Sequence, residues 1–165
     1  MTAQRAEVLD SAYVRSRAFM VERHLKARGI DDPLLLAAMG TVPRETFVPE
    51  HLQEFVYEDS ALPIESGQTI SQPYIVARMI ELAEIKPGDK VLEVGAGSGY
   101  AAAVMSRMAN KVFAIERHEE LAKLAESAKT TQEAAALSQA AAQELGQLAG
   151  SLVTFTRSSD RPARP

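Results

Sequence analysis

Apolar residues recur at helical spacing along the first stretch of the chain, at Val8, Leu9, Ala12, Tyr13, then Met20, Val21 and Leu25, with charges between them. That pattern predicts a helix over Gln4 to Arg28, ended by Gly29. Asp31 and Asp32 before Pro33 offer an N-cap and a first-turn proline for a short helix through Leu34, Leu35, Leu36 and Met39, with Gly40 as its stop. The periodicity then breaks. Val42 to Glu50, VPRETFVPE, contains two prolines and cannot stay regular for long. Tyr57 to Tyr74, YEDSALPIESGQTISQPY, sets Pro63, Gly67 and Pro73 among hydroxyls and amides, which is the composition of a loop. Loops on a rigid scaffold are where substrate contacts concentrate. A helix over Ile75 to Leu82 and a turn at Lys86-Pro87-Gly88-Asp89 lead out of it.

The next stretch organises the rest. Val91 to Tyr100, VLEVGAGSGY, opens as a buried strand and then places glycine at every second position, Gly95, Gly97 and Gly99. Glycines at that spacing allow a tight loop and a close backbone approach to a ligand. Ala101 to Val104, with Met105 and Met108, predict a helix whose N-terminus faces the same spot, and Lys111 to Glu116 a second strand ending in a carboxylate. Glu116 stands about 20 residues beyond the first glycine, where βαβ nucleotide-binding units place the acid that holds ribose hydroxyls. A dinucleotide fold asks for Gly or Ala three positions after the second glycine, and here that position is Tyr100. The bulky ring favours S-adenosyl-L-methionine over NAD or FAD.

Composition narrows the classes. With 165 residues the chain is long enough for one domain with a core and too short for two ordinary ones. A net charge of −4 supplies no basic footprint for nucleic acid. The absence of cysteine excludes disulfides, thiolate metal sites and a cysteine nucleophile. Arg5, Glu7 and Asp10 interrupt the N-terminal apolar positions early, so no signal peptide or membrane span is expected, and a cytoplasmic location follows by default. His24, His51 and His118 are scattered and read as surface or packing residues; no metal site is expected.

VPRETFVPE, ALPIESGQTISQPYIVARM, VLEVGAGSGYAAAV and VFAIERHEEL, in that order over about Met20 to Ala125, resemble the protein-L-isoaspartate O-methyltransferases. GQTISQPY is the specific element, because nearly all class I methyltransferases share the glycine loop. The resemblance implies an α/β, Rossmann-like class I methyltransferase fold. It also implies transfer of a methyl group from S-adenosyl-L-methionine to the carboxylate of L-isoaspartyl residues in damaged proteins or peptides, which is a repair reaction. Carried over by motif, Ser71 is the active-site serine, with Thr69 beside it. Gln68, Glu93, Gly95, Ala96, Gly97, Ser98, Gly99 and Glu116 line the cofactor.

After about Ala125 the sequence departs from that family, whose members continue through further strands. Lys129 to Phe155 is rich in alanine and glutamine, with Leu137, Ala141, Leu145, Leu148, Leu152 and Phe155 on one helical stripe. This stretch is similar to the C-terminal helix of methyl-accepting chemotaxis receptors. The expected organisation is therefore a methyltransferase domain over 1–126 with an incomplete sheet, an alanine-rich helix over 127–156 and a disordered end over 157–165. An incomplete parallel sheet leaves an apolar edge open to self-association, through that edge or through the tail helix. Two other readings stay open: a non-catalytic helical interaction module, and a methyltransferase acting on another carboxylate or a small molecule.

Overall fold

The computed structural model describes residues 3–128. By internal packing the chain divides into Met1–Lys129 and Thr130–Pro165, and the first unit contains the described residues. The expected alanine-rich helix and disordered end lie, from residue 129 on, outside them.

Helix α1 spans Ala3–Phe19, continues as a wider π-turn over Met20–Leu25 and tightens into a 3₁₀ turn over Lys26–Arg28. The helical run ends at Gly29, which takes a φ of 90° that a β-carbon would resist. The change of winding lets Met20, Val21 and Leu25 all reach the core. Helix α2, Pro33–Thr41, is capped as expected: the Asp32 carboxylate accepts from the N–H groups of Leu34 at 2.8 Å and Leu35 at 3.2 Å. Gly40 does not stop it. The Val42 N–H still bonds to the Ala38 carbonyl, and the helix ends only where Val42 becomes extended ahead of Pro43. Gly40 instead faces the first helical segment, where a β-carbon would meet the Val21 side chain at 3.9 Å.

The proline-bounded stretch folds as two 3₁₀ turns, Arg44–Phe47 and Glu50–Phe55. The predicted loop before the central unit contains a small hairpin. Strand β1, Leu62–Pro63, pairs antiparallel with β2, Thr69–Ile70. Its turn puts Ser66 and Gly67 at positive φ, 57° and 65°. Helix α3, Pro73–Leu82, follows at once, starting two residues before the expected Ile75.

The central unit folds as its pattern predicts. Strand β3, Lys90–Val94, runs parallel to β4, Lys111–Ile115, in the register Leu92 to Phe113 and Val94 to Ile115. Helix α4 between them is shorter than expected, Tyr100–Met105. Residues 119–128 form helix α5. The core gathers Met20, Leu25, Leu35, Met39, Val104 and Leu121 beneath one face of this sheet, with Val91 and Val112 packed against it. The other face is open: Val94 is 77% exposed and Phe113 46%, with Leu92 and Ile115 beside them. Parallel sheets are ordinarily covered on both sides. Among the described residues no helix is long and apolar enough to cross a membrane.

Candidate functional site

The site lies at the carboxyl ends of β3 and β4, where open α/β sheets bind ligands. The chain leaves β3 through Gly95, Gly97 and Gly99, with φ of 86°, 56° and 87°. The loop amides are turned inward. Gly95 and Ala96 both donate to the Ile115 carbonyl, at 2.8 and 3.2 Å, and Gly99 donates to Ala96 at 2.8 Å. Gly97 donates to Glu116 Oε2 at 2.8 Å. Ala96 and Ser98 are buried within the loop. A β-carbon at Gly99 would stand 2.9 Å from that of Ala125, so α5 closes directly on the loop.

Two carboxylates flank these glycines. Glu116, one residue past β4, also accepts from the His118 N–H at 2.9 Å. The His118 and Gly97 amides hold its carboxyl below the usual carboxylate range, so it is a standing negative charge. Glu93 takes the opposite shift. Burial pushes its pKa up to about 7, against a hydrogen bond from the Ala102 N–H in the first turn of α4. Its Oε2 is buried without a hydrogen-bond partner, a deficit that a donor on a ligand would meet. His118 serves Glu116 through its backbone, and no cluster among the described residues could hold a metal ion.

The charge and hydrogen-bond inventory selects a class of ligand. A pyrophosphate needs free amides and positive charge. Here the amides of Gly95, Ala96 and Gly97 are already used, and two carboxylates stand beside them. The arrangement suits a ligand with a cationic or hydrogen-bond-donating end, with open space at Gly95, where a β-carbon would meet nothing within 4 Å.

The hydroxyl segment approaches from the hairpin. Ile64, at the start of its turn, reaches the glycine loop, 3.7 Å from where a β-carbon of residue 97 would be. Ser66 Oγ donates to Glu120 Oε2 of α5 at 3.0 Å. Gln68, Thr69 and Ser71 are exposed on this segment. Gln68 Nε2 reaches the Ser66 carbonyl at 3.4 Å, while the Thr69 and Ser71 hydroxyls make no hydrogen bond among the described residues.

Sequence reasoning passed over the groups that hold this segment. Asp59 Oδ1 accepts from the Tyr74 N–H at 3.2 Å and its Oδ2 from Gln72 Nε2 at 3.4 Å, so it caps α3 where the N-cap residue Gln72 does not. Asp59 is itself ion-paired with Arg28, whose guanidinium stacks 3.6 Å over the Tyr74 ring. Arg44, in the first 3₁₀ turn, donates from Nη2 to the Ser71 carbonyl at 2.8 Å. The one signal in the sequence was an arginine among prolines and apolar residues.

Comparison with known proteins identifies the family. A profile described as protein-L-isoaspartate(D-aspartate) O-methyltransferase (PCMT) matches residues 15–146, running past Ala125, where the motifs alone end the resemblance. The protein-L-isoaspartate O-methyltransferase of Protochlamydia amoebophila is 58% identical over 106 residues, covering 64% of this chain and 50% of the relative. That of Methylorubrum extorquens is 60% identical over 118 residues, covering 72% and 51%. A solved protein-L-isoaspartate O-methyltransferase superposes with a TM-score of 0.64 at 31% identity, covering 71% of this chain and 39% of its own. A Plasmodium falciparum chain described as a β-aspartate methyltransferase, in complex with S-adenosyl-L-homocysteine, gives 0.57 at 31% identity, covering 68% and 54%. The chain spans about half the length of the curated relatives it matches. The matched span contains the glycine loop and the hairpin just described, and the chain belongs to the protein-L-isoaspartate(D-aspartate) O-methyltransferase family.

Proposed function

We propose that this chain carries the cofactor loop and the hydroxyl segment of an enzyme that methylates the carboxylate of L-isoaspartyl residues in damaged proteins or peptides. The observation that carries the reading is the packing of the hairpin, through Ile64, onto the glycine loop at Gly97, in a member of this family. That packing supports a site shared by the loop that ends β3 and the stretch with Gln68, Thr69 and Ser71, which follows the hairpin turn.

S-adenosyl-L-methionine, when bound, supplies a methyl group on a sulfonium that leaves readily. The 31% identical Plasmodium falciparum chain, solved with the demethylated product, supports that cofactor. On this side of the reaction Gly95, Ala96, Gly97, Ser98 and Gly99 shape the loop, and Gln68 borders it. Glu116 offers a standing negative charge, and Glu93 an unpartnered carboxyl oxygen, to the ribose and the cationic end. On the other side the acceptor carboxylate, with an ordinary pKa of about 4, is already ionised at neutral pH and needs no general base. The remaining work is alignment and removal of water. Ser71 and Thr69, with hydroxyls not engaged elsewhere among the described residues, are suited to hold that carboxylate.

Calorimetric titration of the chain with S-adenosyl-L-homocysteine tests the reading, with Gly97→Arg as control. Position 97 has a φ of 56° and faces Ile64, so an arginine there both strains the loop and fills it. Saturable binding to the wild type, lost in the control, is expected, followed by radiolabelled methyl transfer to an isoaspartyl peptide and not to its aspartyl isomer. Absence of binding, or transfer to both peptides alike, overturns the proposal.

A further inference from the structure

Arg44 is 0% exposed. Its immediate neighbour Glu45 does not neutralise it. Glu45 is ion-paired with Arg17 at 2.9 Å and accepts the hydroxyl proton of Tyr57. Tyr57 in turn accepts from Arg17 Nε at 2.7 Å and from the Arg44 backbone N–H at 3.3 Å. This cluster pins the backbone of Arg44 and leaves its side chain to do something else. The guanidinium spends its hydrogen bonds on two neutral carbonyls, Val56 from Nε at 2.9 Å and Ser71 from Nη2 at 2.8 Å. Its Cζ lies over the Tyr100 ring, 4.8 Å from the centre.

Those two contacts belong to opposite halves of the site. Ser71 lies between β2 and α3 in the hydroxyl segment. Tyr100 is the first residue after the glycine loop, 1% exposed, held by an edge-on contact with Phe47 at 5.5 Å and by its hydroxyl on Met39 Sδ at 3.5 Å. A charge buried without a carboxylate partner is a poor device for stability alone. A planar fork that stacks on a ring while donating at its edge is a good device for fixing one backbone relative to another. The arrangement also gives a use to the aromatic ring at a position where dinucleotide folds need a small residue.

We infer that Arg44 is a positioning residue that fixes the Ser71 segment relative to the glycine loop, with the Tyr100 ring as its platform. The inference rests on the methyl-transfer reading for its consequence, and on the geometry alone for the link itself. Asp59 restrains the same segment independently through Tyr74 and Gln72, so losing Arg44 frees the Ser71 carbonyl without releasing α3. Lysine cannot replace it, because one ammonium does not span both carbonyls from a place over the ring.

The test compares the full chain with Arg44→Lys, Arg44→Met and Ser71→Ala. Amide hydrogen exchange over residues 69–72 is expected to rise about tenfold or more in both Arg44 variants, with exchange in α2 and in the β3–β4 ladder unchanged. In methyl transfer to an isoaspartyl peptide, Arg44→Lys should lower kcat about tenfold or more, with S-adenosyl-L-homocysteine affinity within about threefold of wild type. Added to Ser71→Ala, it should lower kcat by less than about twofold, because it acts through that residue. Unchanged exchange over 69–72 in a folded Arg44→Lys chain overturns the inference. So does a uniform rise in exchange across the whole unit, which marks a purely structural role. A wild-type chain that binds S-adenosyl-L-homocysteine but methylates no isoaspartyl peptide counts against the proposed function alone, and the exchange results then decide for Arg44. Should both Arg44 variants fail to fold, the wild type decides. A through-hydrogen-bond nitrogen–carbon coupling from the Arg44 guanidinium to the Ser71 carbonyl supports the link. Its absence from a spectrum that shows the β3–β4 couplings overturns it.

Discussion

At the scale of single residues, the two acids of the site behave oppositely, and the difference is measurable. Glu93 ionises near pH 7 in the folded chain, because burial disfavours its charge, against an ordinary value of 4.5. Between those two pH values the folded chain holds a proton that the unfolded chain has already lost. Stability therefore falls as pH rises from 4.5 to about 7 and levels off above. The steepest slope is about 1.4 kcal/mol per pH unit, and partial solvent screening brings the total to about 1–2 kcal/mol. Glu93→Gln should remove that slope and be the more stable protein at pH 7.5 in urea denaturation. Equal slopes in the two proteins would show that Glu93 is not the group responsible. The glutamate was readable in the sequence as the last acid before the glycines; its shift was not, because it depends on α4 and on how deeply the strand end is covered. Arg44 was less legible still. Its partners Val56, Ser71 and Tyr100 lie 12, 27 and 56 positions away along the chain, and nothing local announces them.

At the scale of elements, what the pattern carried was what is local. The strand, glycine loop, helix and second strand of the central unit follow from an apolar run, permissive residues and a second apolar run, and they appear in the expected order and pairing. Asp32 and Pro33 cap α2 because capping involves only the next three residues. The hairpin of two-residue strands escaped notice, since two residues are too few to show a period of two, and its pairing is made across the turn at Ser66 and Gly67. Gly40 misled because a glycine inside a helix and a glycine that ends one look alike in sequence. Two glycines of the loop also look alike and differ in what surrounds them. Gly95 and Gly99 both have positive φ, but only at Gly99 would a β-carbon run into α5. Gly95→Ala should cost about 1–2 kcal/mol from backbone strain alone. Gly99→Ala should cost about 2–4 kcal/mol, the excess coming from overpacking against Ala125. Thermal denaturation of the pair checks this; equal losses would mean that α5 yields without cost.

At the scale of the whole molecule, the core and the site lie on different terms with the sheet. Beneath β3 and β4, Val91 and Val112 join a core in which Leu35 is 0% exposed, while on the opposite face Val94 and Ile115 sit side by side in register at 77% and 54% exposure. The sequence announced apolar residues on both faces of these strands, but alternation cannot say which face is covered. The candidate site is built from the strand ends, the loop and the hairpin, and the loop and hairpin meet through Ile64, which belongs to the core. It follows that charge can be placed on the open face at little cost. Val94→Lys combined with Ile115→Lys should change stability by no more than about 1 kcal/mol and leave S-adenosyl-L-homocysteine binding intact. Leu35→Ala, which empties part of the core, should cost about 2–5 kcal/mol. Chemical denaturation of the three chains reads both numbers. If the double lysine variant loses as much as Leu35→Ala, the open face is buried in solution, and the stability of the site depends on whatever covers it.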